Sequence, residues 1–422
     1  MKIIHTSDWH LGCALDYYSR EYEHRCFLDF LERTVKTEQV DALIVAGDIF
    51  DTANPAVDSQ KMLYSFLIRL YSSCPQLQVI LTAGNHDSAS RLGVAGGLLE
   101  FVNCHAVTRV EFEENGRPLL ERLVFPLKDH NGKICAFCGA VPFIRRADLP
   151  AQYAEGEHYH EDPFANAVYA LHRQLLELMK CMAQNGEKLI VIDHTAVAGG
   201  SIREEDSEHQ ITIGSLESIP ADLFDGFDYA ALGHIHKYQK ITEGPCLSVY
   251  SGSPIPVSFA EINYHNGFEL ITIDDSGALS QQHIEVPRTV QLQRIPQQAQ
   301  ELDEVLRQLE QLPEKTADSE SDPFIEVQFL SDGFEPRALE KIKAAVADRA
   351  VRLFRVERKS RNTSQQSGDE QSSGITAVEV ERLDPVSVFS RFYRSQTGSD
   401  SVPEELSREF MQILDEVRQN EQ

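Results

Sequence analysis

ALIVAGDIFDTANP, residues 42–55, carries an unbroken apolar run into Gly47, Asp48 and Asp51. A strand that ends at once in a polar loop sets its side chains at the carboxyl edge of a sheet, where open α/β sheets build their sites. The arrangement recurs along the chain. Ile3-Ile4 leads to Asp8 and His10, and QVILTAG (78–84) leads to Asn85, His86 and Asp87. KLIVID (188–193) delivers His194, and YAALG (229–233) delivers His234 and His236. These strand ends predict one convergent cluster, built from Asp, Asn and His with no thiolate.

Around these runs, helix-period stretches fall at YEHRCFLDFLERTVK (22–36), DSQKMLYSFLIRLYSS (58–73) and NAVYALHRQLLELMKCMAQNG (166–186). The expected fold class is α/β (α+β), with a two-sheet β-sandwich flanked by helices over residues 1–286. CLSVYSGSPIP (246–256) and GFELITIDD (267–275) are strands between Gly, Pro and Asn turns, so the second sheet is expected to be the more antiparallel one. Residues 287–358 read strand, helix, strand, helix, strand, a small α/β cap domain. Residues 359–374 (KSRNTSQQSGDEQSSG) are polar and read as a flexible linker.

Residues 375–422 predict two C-terminal helices. Asp384-Pro385 supplies an N-cap and an N1 proline, with Phe389 and Phe392 on one side. Ser401 and Glu404 form a capping box that opens a stripe of Leu406, Phe410, Ile413 and Leu414. A tail set apart by a polar linker, yet carrying apolar stripes, is expected to dock on a partner protein.

Composition sets outer bounds. At 422 residues the chain has room for two or three domains. No apolar stretch reaches about 18 residues, so no membrane span is expected. A strand pattern begins at Met1 with no leader, which points to the cytoplasm. The eight scattered cysteines read as free thiols, with Cys135 and Cys138 expected in a buried strand. A net charge of −27 argues against a general polyanion-binding surface. A nucleic-acid enzyme with this balance needs local basic patches, bound cations or a basic partner. The best clusters are Arg145-Arg146 and RLFRVERKSR (352–361), whose Arg352, Arg355 and Arg358 are candidate DNA contacts.

Oxygen and imidazole ligands suit manganese, iron or zinc better than a soft-metal site. There are too many for one ion. Two ions roughly 3.5–4 Å apart, bridged by a carboxylate, would use them all. Asp48 is the expected bridge, with Asp8, His10 and His236 on one ion and Asn85, His194 and His234 on the other. His86 is then left over as a proton donor to the leaving oxygen. Asp51 is expected to orient it, and Asp87 to fix the GNHD turn.

The wording of the motifs carries a resemblance. HTSDWHLG (5–12), VAGDIFDTANP (45–55), TAGNHDS (82–88), ALGHIHKYQ (231–239) and SGSPIPVSF (251–259) resemble the SbcD family of the calcineurin-like metallophosphoesterase superfamily. The resemblance implies a manganese-dependent nuclease acting on double-stranded DNA ends as exonuclease and on hairpins as endonuclease. It also implies an SbcC-type ATPase that binds the C-terminal helices, and a dimer of the nuclease within a heterotetramer. The chain departs from the pattern at Asp193, where a small residue is more usual. Two other readings keep the fold: a phosphodiesterase or phosphatase for nucleotides or other small phosphoesters, and a silent scaffold. The scaffold would have lost its ligands, and this chain retains every one.

Overall fold

Along Ala42–Ala46 the side chains alternate between two cores, and that alternation explains the architecture. Ala42, Ile44 and Ala46 join Ile3 and Ile80 against the second sheet, packing on residues such as Ile190, Ile192, Tyr229 and Ala231. Leu43 and Val45 join Ile4, Val79 and Leu81 under the helices, against Phe27, Leu31, Leu63 and Phe66. A period of two places successive residues on opposite faces, so a strand buried on both sides reads as continuous apolar sequence. Each fully buried Leu, Ile or Phe contributes roughly 1.5–3 kcal/mol relative to exposure.

The computed structural model describes residues 1–150, 162–197, 219–241, 245–316, 319–331, 335, 337–360 and 406. In chain order the first elements are β1 (Lys2–Thr6), β2 (Ala14–Leu15), β3 (Tyr18–Ser19), α1 (Glu21–Glu38), β4 (Ala42–Ala46) and α2 (Val57–Ser73). Then come β5 (Gln78–Thr82), α3 (Ala89–Val94), α4 (Gly96–Leu99), β6 (Cys104–Val107), β7 (Val124–Lys128) and β8 (Ile134–Ala140). α5 (Pro163–Met182), β9 (Lys188–His194), β10 (Tyr229–Gly233), β11 (Gln239–Ile241) and β12 (Leu247–Tyr250) follow. The last are β13 (Gly267–Ile273), β14 (Leu279–Glu285), β15 (Leu292–Glu301), α6 (Leu302–Glu310), β16 (Phe324–Leu330), α7 (Ala338–Val346) and β17 (Arg352–Lys359).

One sheet has the order β14-β13-β1-β4-β5-β6 and the other β11-β12-β10-β9-β8-β7. Both are parallel at their centres, through β1-β4-β5-β6 and through β12-β10-β9-β8. Antiparallel strands occupy edges: β13 and β14 in the first, β11 and β7 in the second. This corrects the expected sheet assignment. GFELITI joins the first sheet beside β1, and CLSVY runs parallel to β10. Apolar runs report burial on both faces but not the neighbour across the ladder.

α1 presents Phe27, Leu28, Leu31 and Val35 inward and ends where Gln39 turns left-handed at φ 55°. α5 starts at Pro163, with Asp162 accepting from Ala165 N, and ends at Met182, four residues before the expected Gly186. Among the described residues, no helix is long and apolar enough to cross a membrane.

The chain divides into two compact units. The larger holds 1–293, 315–324 and 350–354, and the smaller holds 294–314, 325–349 and the residues from 355 onward. A single cut after residue 286 does not describe this division. Val290, Leu292, Phe324 and Phe354 pack with Leu15 and Phe259, which ties these segments into the larger unit. The smaller unit is built on the sheet β15-β16-β17, with α6 and α7 contributing buried Val305, Leu309, Ile342 and Val346. In it, buried Glu326 of the central strand pairs with Arg294 and Arg355 of its two neighbours. Most of 361–422 lies outside the described residues, including Phe389, Phe392, Phe410, Ile413 and Leu414. Leu406 is described and is exposed.

Candidate metal centre

The loops leaving β1, β4 and β10 break an ordinary backbone rule where the chemistry is dense. Asp8, His10, Asp48 and His234 all have positive φ, at 52°, 45°, 49° and 94°. Non-glycine residues rarely hold this left-handed region, and they do so where surrounding structure over-determines them. The surrounding bonds are on hand. His234 N donates to Asp8 Oδ1 at 2.9 Å, and His86 N donates to Asp48 Oδ1 at 2.9 Å. Ser7 Oγ donates to Asp8 Oδ2 at 2.5 Å. Buried Asp87 accepts from Ile49 N, Phe50 N and Gly84 N at 3.0, 2.9 and 2.9 Å. It therefore pins the GDIFD loop to the GNHD loop.

Gly84 and Gly233 complete the frame by absence. A Cβ on Gly84 would collide with the Asp48 carboxylate, and one on Gly233 with the Ala46 carbonyl and His194 Nδ1.

The ligand atoms converge in overlapping groups. Those of Asp8, His10 and His236 lie within 4.8 Å of one another, as do those of Asp8, Asp48 and His194. His10, Asp48 and His86 make a further group. Asp48 Oδ2 is 3.3 Å from His194 Nε2 and 3.7 Å from His10 Nε2, so it stands between the two ends. Asn85 Oδ1 lies 2.9 Å from His194 Nε2 and 3.0 Å from His234 Nδ1.

Tautomers follow from partners that can only accept. His194 Nδ1 donates to the Ala46 carbonyl at 2.8 Å, and His236 Nδ1 donates to the Glu261 carboxylate at 2.8 Å. In the neutral rings each Nε2 then carries a lone pair. The His194 lone pair faces the oxygens of Asn85 and Asp48, and that of His236 faces His10 Nε2 at 3.1 Å. Such facing donors repel unless a proton or a cation lies between them. The residues fit divalent metal ions.

Protons answer the same demand in the metal-free chain. Burial pulls His194 and His236 down, but the Asp48 carboxylate outweighs it for the first and Glu261 for the second, and each pKa is about 9. His234 goes the other way. Burial, helped by the charge of His194, lowers it to about 3. Burial raises the Asp48 carboxyl, yet His194, His10 and His86 prevail and hold it well below the carboxylate range.

His86 is half-buried beside this group, its ring 4.9 Å from that of His10. Its Nδ1 donates to the main-chain carbonyl of Asp51 at 2.7 Å, whereas sequence reasoning assigned that orientation to the carboxylate. The Asp51 carboxylate stands 3.4 Å from His10 Nδ1. Asp193 faces away from His194, as strand alternation requires, and meets His172 Nε2 at 2.7 Å. The unusual acid is thus paired with α5 and leaves the ligand geometry alone.

The candidate DNA contacts separate. Exposed Arg145 reaches Asn85 O at 3.1 Å, with its guanidinium 5.2 Å over the Phe143 ring. Phe143 itself stacks on His234. Arg146 pairs with Asp162 at 3.0 Å. Arg352 is turned inward, donating to Asp322 O and lying 3.7 Å over Phe324. Arg355 is committed to Glu326, and Arg358 is exposed near the end of β17. Sequence reasoning missed Glu261, Ser7 and Phe143. Only Ser7, adjacent to Asp8, had a positional signal.

Residues 1–238 match the calcineurin-like phosphoesterase family, and residues 288–397 match the type 5 capsule protein repressor C-terminal domain. The chain is 36% identical over 348 residues to the SbcD subunit of nuclease SbcCD from Rhodobacter capsulatus, covering 82% of this chain and 83% of that one. It is 29% identical over 416 residues to the SbcD subunit of Escherichia coli K12, covering 98% of each. With the SbcD subunit of Bacillus subtilis it shares 28% identity over 434 residues and the full length of both. The chain therefore belongs to the calcineurin-like phosphoesterases and, within them, to the SbcD family of SbcCD nuclease subunits, which are metal-dependent phosphodiester hydrolases.

Proposed function

We propose that this chain is the nuclease subunit of a DNA-processing complex. It cleaves phosphodiesters at double-stranded ends and in hairpins with a pair of divalent ions, manganese foremost. The observation that carries the proposal is the set of overlapping donor groups, two of which share Asp8 and two of which share Asp48. Asp8, His10 and His236 would hold one ion, Asn85, His194 and His234 the other, with Asp48 between them. Bound there, the ions would supply hydroxide near neutral pH and neutralise phosphoryl charge.

The chain's own residues do the rest. Asp87 fixes the two loops that carry Asp48 and Asn85. The Asp51 carbonyl holds one hydrogen on His86 Nδ1 and so leaves Nε2 as the ring nitrogen through which a proton would pass to the leaving oxygen. Arg145, exposed beside Asn85, suits a backbone phosphate of bound DNA.

The partners are an SbcC-type ATPase, which would dock on residues 375–422, read as helical from sequence alone, and a second copy of this chain. Val57, Ile68 and Tyr71 on α2, and Val94, Leu98 and Phe101 on and after α3 and α4, are exposed apolar side chains and are candidate contacts for that copy. Residues 287–358 would serve as the DNA-binding cap. The small-phosphoester alternative shares the same chemistry, and no observation favours it.

The test is cleavage of a labelled hairpin duplex in manganese by the chain with its ATPase partner, with and without ATP. Asp48→Ala is expected to abolish cleavage. High turnover of a small phosphodiester with none of DNA overturns the substrate assignment.

A further inference from the structure

The histidine ring bonds at the centre fall to two kinds of partner. His194 and His86 donate through Nδ1 to main-chain carbonyls, those of Ala46 and Asp51. His236 donates to a side-chain carboxylate, Glu261 Oε1, at 2.8 Å. Glu261 is 2% exposed, and its other oxygen accepts from Val257 N at 2.8 Å and lies 3.4 Å from Ser253 Oγ. Both oxygens are therefore used, one on a metal-ligand candidate and one on the loop after β12.

We propose that Glu261 is a positioning residue that fixes the tautomer and ring orientation of His236, and so selectively strengthens the ion position shared by Asp8, His10 and His236. The inference rests on the two-ion reading above. A carboxylate behind a ligating imidazole holds the hydrogen on the far nitrogen, turns the near lone pair to the ion and raises its basicity. A main-chain carbonyl does the first two with less charge. The two positions are thus unequal by construction.

Glu261→Gln breaks this arrangement without removing bulk. If the amide oxygen keeps Val257 N, the NH2 group faces His236 Nδ1, and the imidazole hydrogen moves to Nε2, where the ion would bind. If the oxygen keeps His236, two donors meet at Val257. Either way one bond is lost.

The experiment titrates the full-length chain with Mn2+ and follows the free ion by electron paramagnetic resonance, beside a circular dichroism melt. For a carboxylate of this kind the expected loss is about 10–100-fold in affinity, confined to one of two binding steps. Glu261→Asp, which keeps the charge on a shorter arm, should lie between wild type and Glu261→Gln at that step. Both steps unchanged within twofold, both weakened equally, or an Asp variant no better than Gln overturns the proposal. If Glu261→Gln does not fold, Glu261→Asp against wild type decides alone: weakening at one step supports it, and equal steps overturn it. A wild type that binds a single ion overturns the two-ion reading instead. The same variants then test Glu261 on that one step.

Discussion

The two sheets meet at one centre but equip it differently. The first sheet supplies the candidate oxygen ligands Asp8, Asp48 and Asn85, with both aspartates on left-handed backbone and two of its loops pinned together by Asp87. The second supplies His194 from the last residue of a regular strand and His234 and His236 from the loop after β10. The difference follows from what each ligand needs. Converging buried carboxylates must be held against their own repulsion, so Asp8, Asp48 and Asp87 accept from several N–H donors, whereas left-handed backbone is common to both sides, His234 included. An imidazole needs only its lone pair aimed, and the partner at the other ring nitrogen does that.

The largest blow to this division is Asp48→Ala, which removes the one carboxylate standing between both ends. Hairpin cleavage should fall to background, a loss on the order of 10³ or more in kcat. His86→Ala comes next, with kcat lowered by roughly 10²–10⁴ while Mn2+ stoichiometry stays as in wild type. Near-normal turnover in that variant would sink the proton-donor assignment.

Acidity probes the imidazole side alone. His194 and His236 titrate at about 9 in the metal-free chain, so at pH 7 both carry a proton that an ion must displace. Metal affinity should therefore rise with pH up to about 9, releasing about one proton per ion. Calorimetry in buffers of different ionisation enthalpy counts those protons. Without metal the sign reverses. The raised values stabilise the fold fully below the unfolded value near 6.5, and that contribution fades as pH climbs through about 9.

The smallest effects compare two arginines. Arg145→Ala should weaken DNA binding and reduce the salt slope by about one, with melting unchanged. Arg352→Ala should leave the slope alone and lower Tm, since that guanidinium serves Asp322 O and the Phe324 ring. Equal salt slopes for both variants would remove Arg145 from the DNA surface.

How much of this was legible in the sequence differs between the same two sides. The strand ends and the convergence of the candidate ligands could be read directly, because a buried strand and a polar loop leave a sharp compositional edge, as at Ala46-Gly47-Asp48. What aims the imidazoles could not. Ala46 and Asp51 act through carbonyls, which every residue has, and Glu261 lies 25 positions from the histidine it serves. Nor does a run such as GFELITI name its sheet. The charge cluster of 352–361 looked like a surface, yet a side chain's charge says nothing of whether Glu326 or Phe324 lies beneath it.

Gly84 and Gly233 carry a consequence for anyone mapping this enzyme by mutation. They have no functional group, yet any side chain placed on them would drive into Asp48 or into His194 and the Ala46 carbonyl. A scan scored only by activity would rank them with the ligands. Paired with a measurement of protein abundance, it would place them in a class apart: positions whose emptiness is the part they contribute.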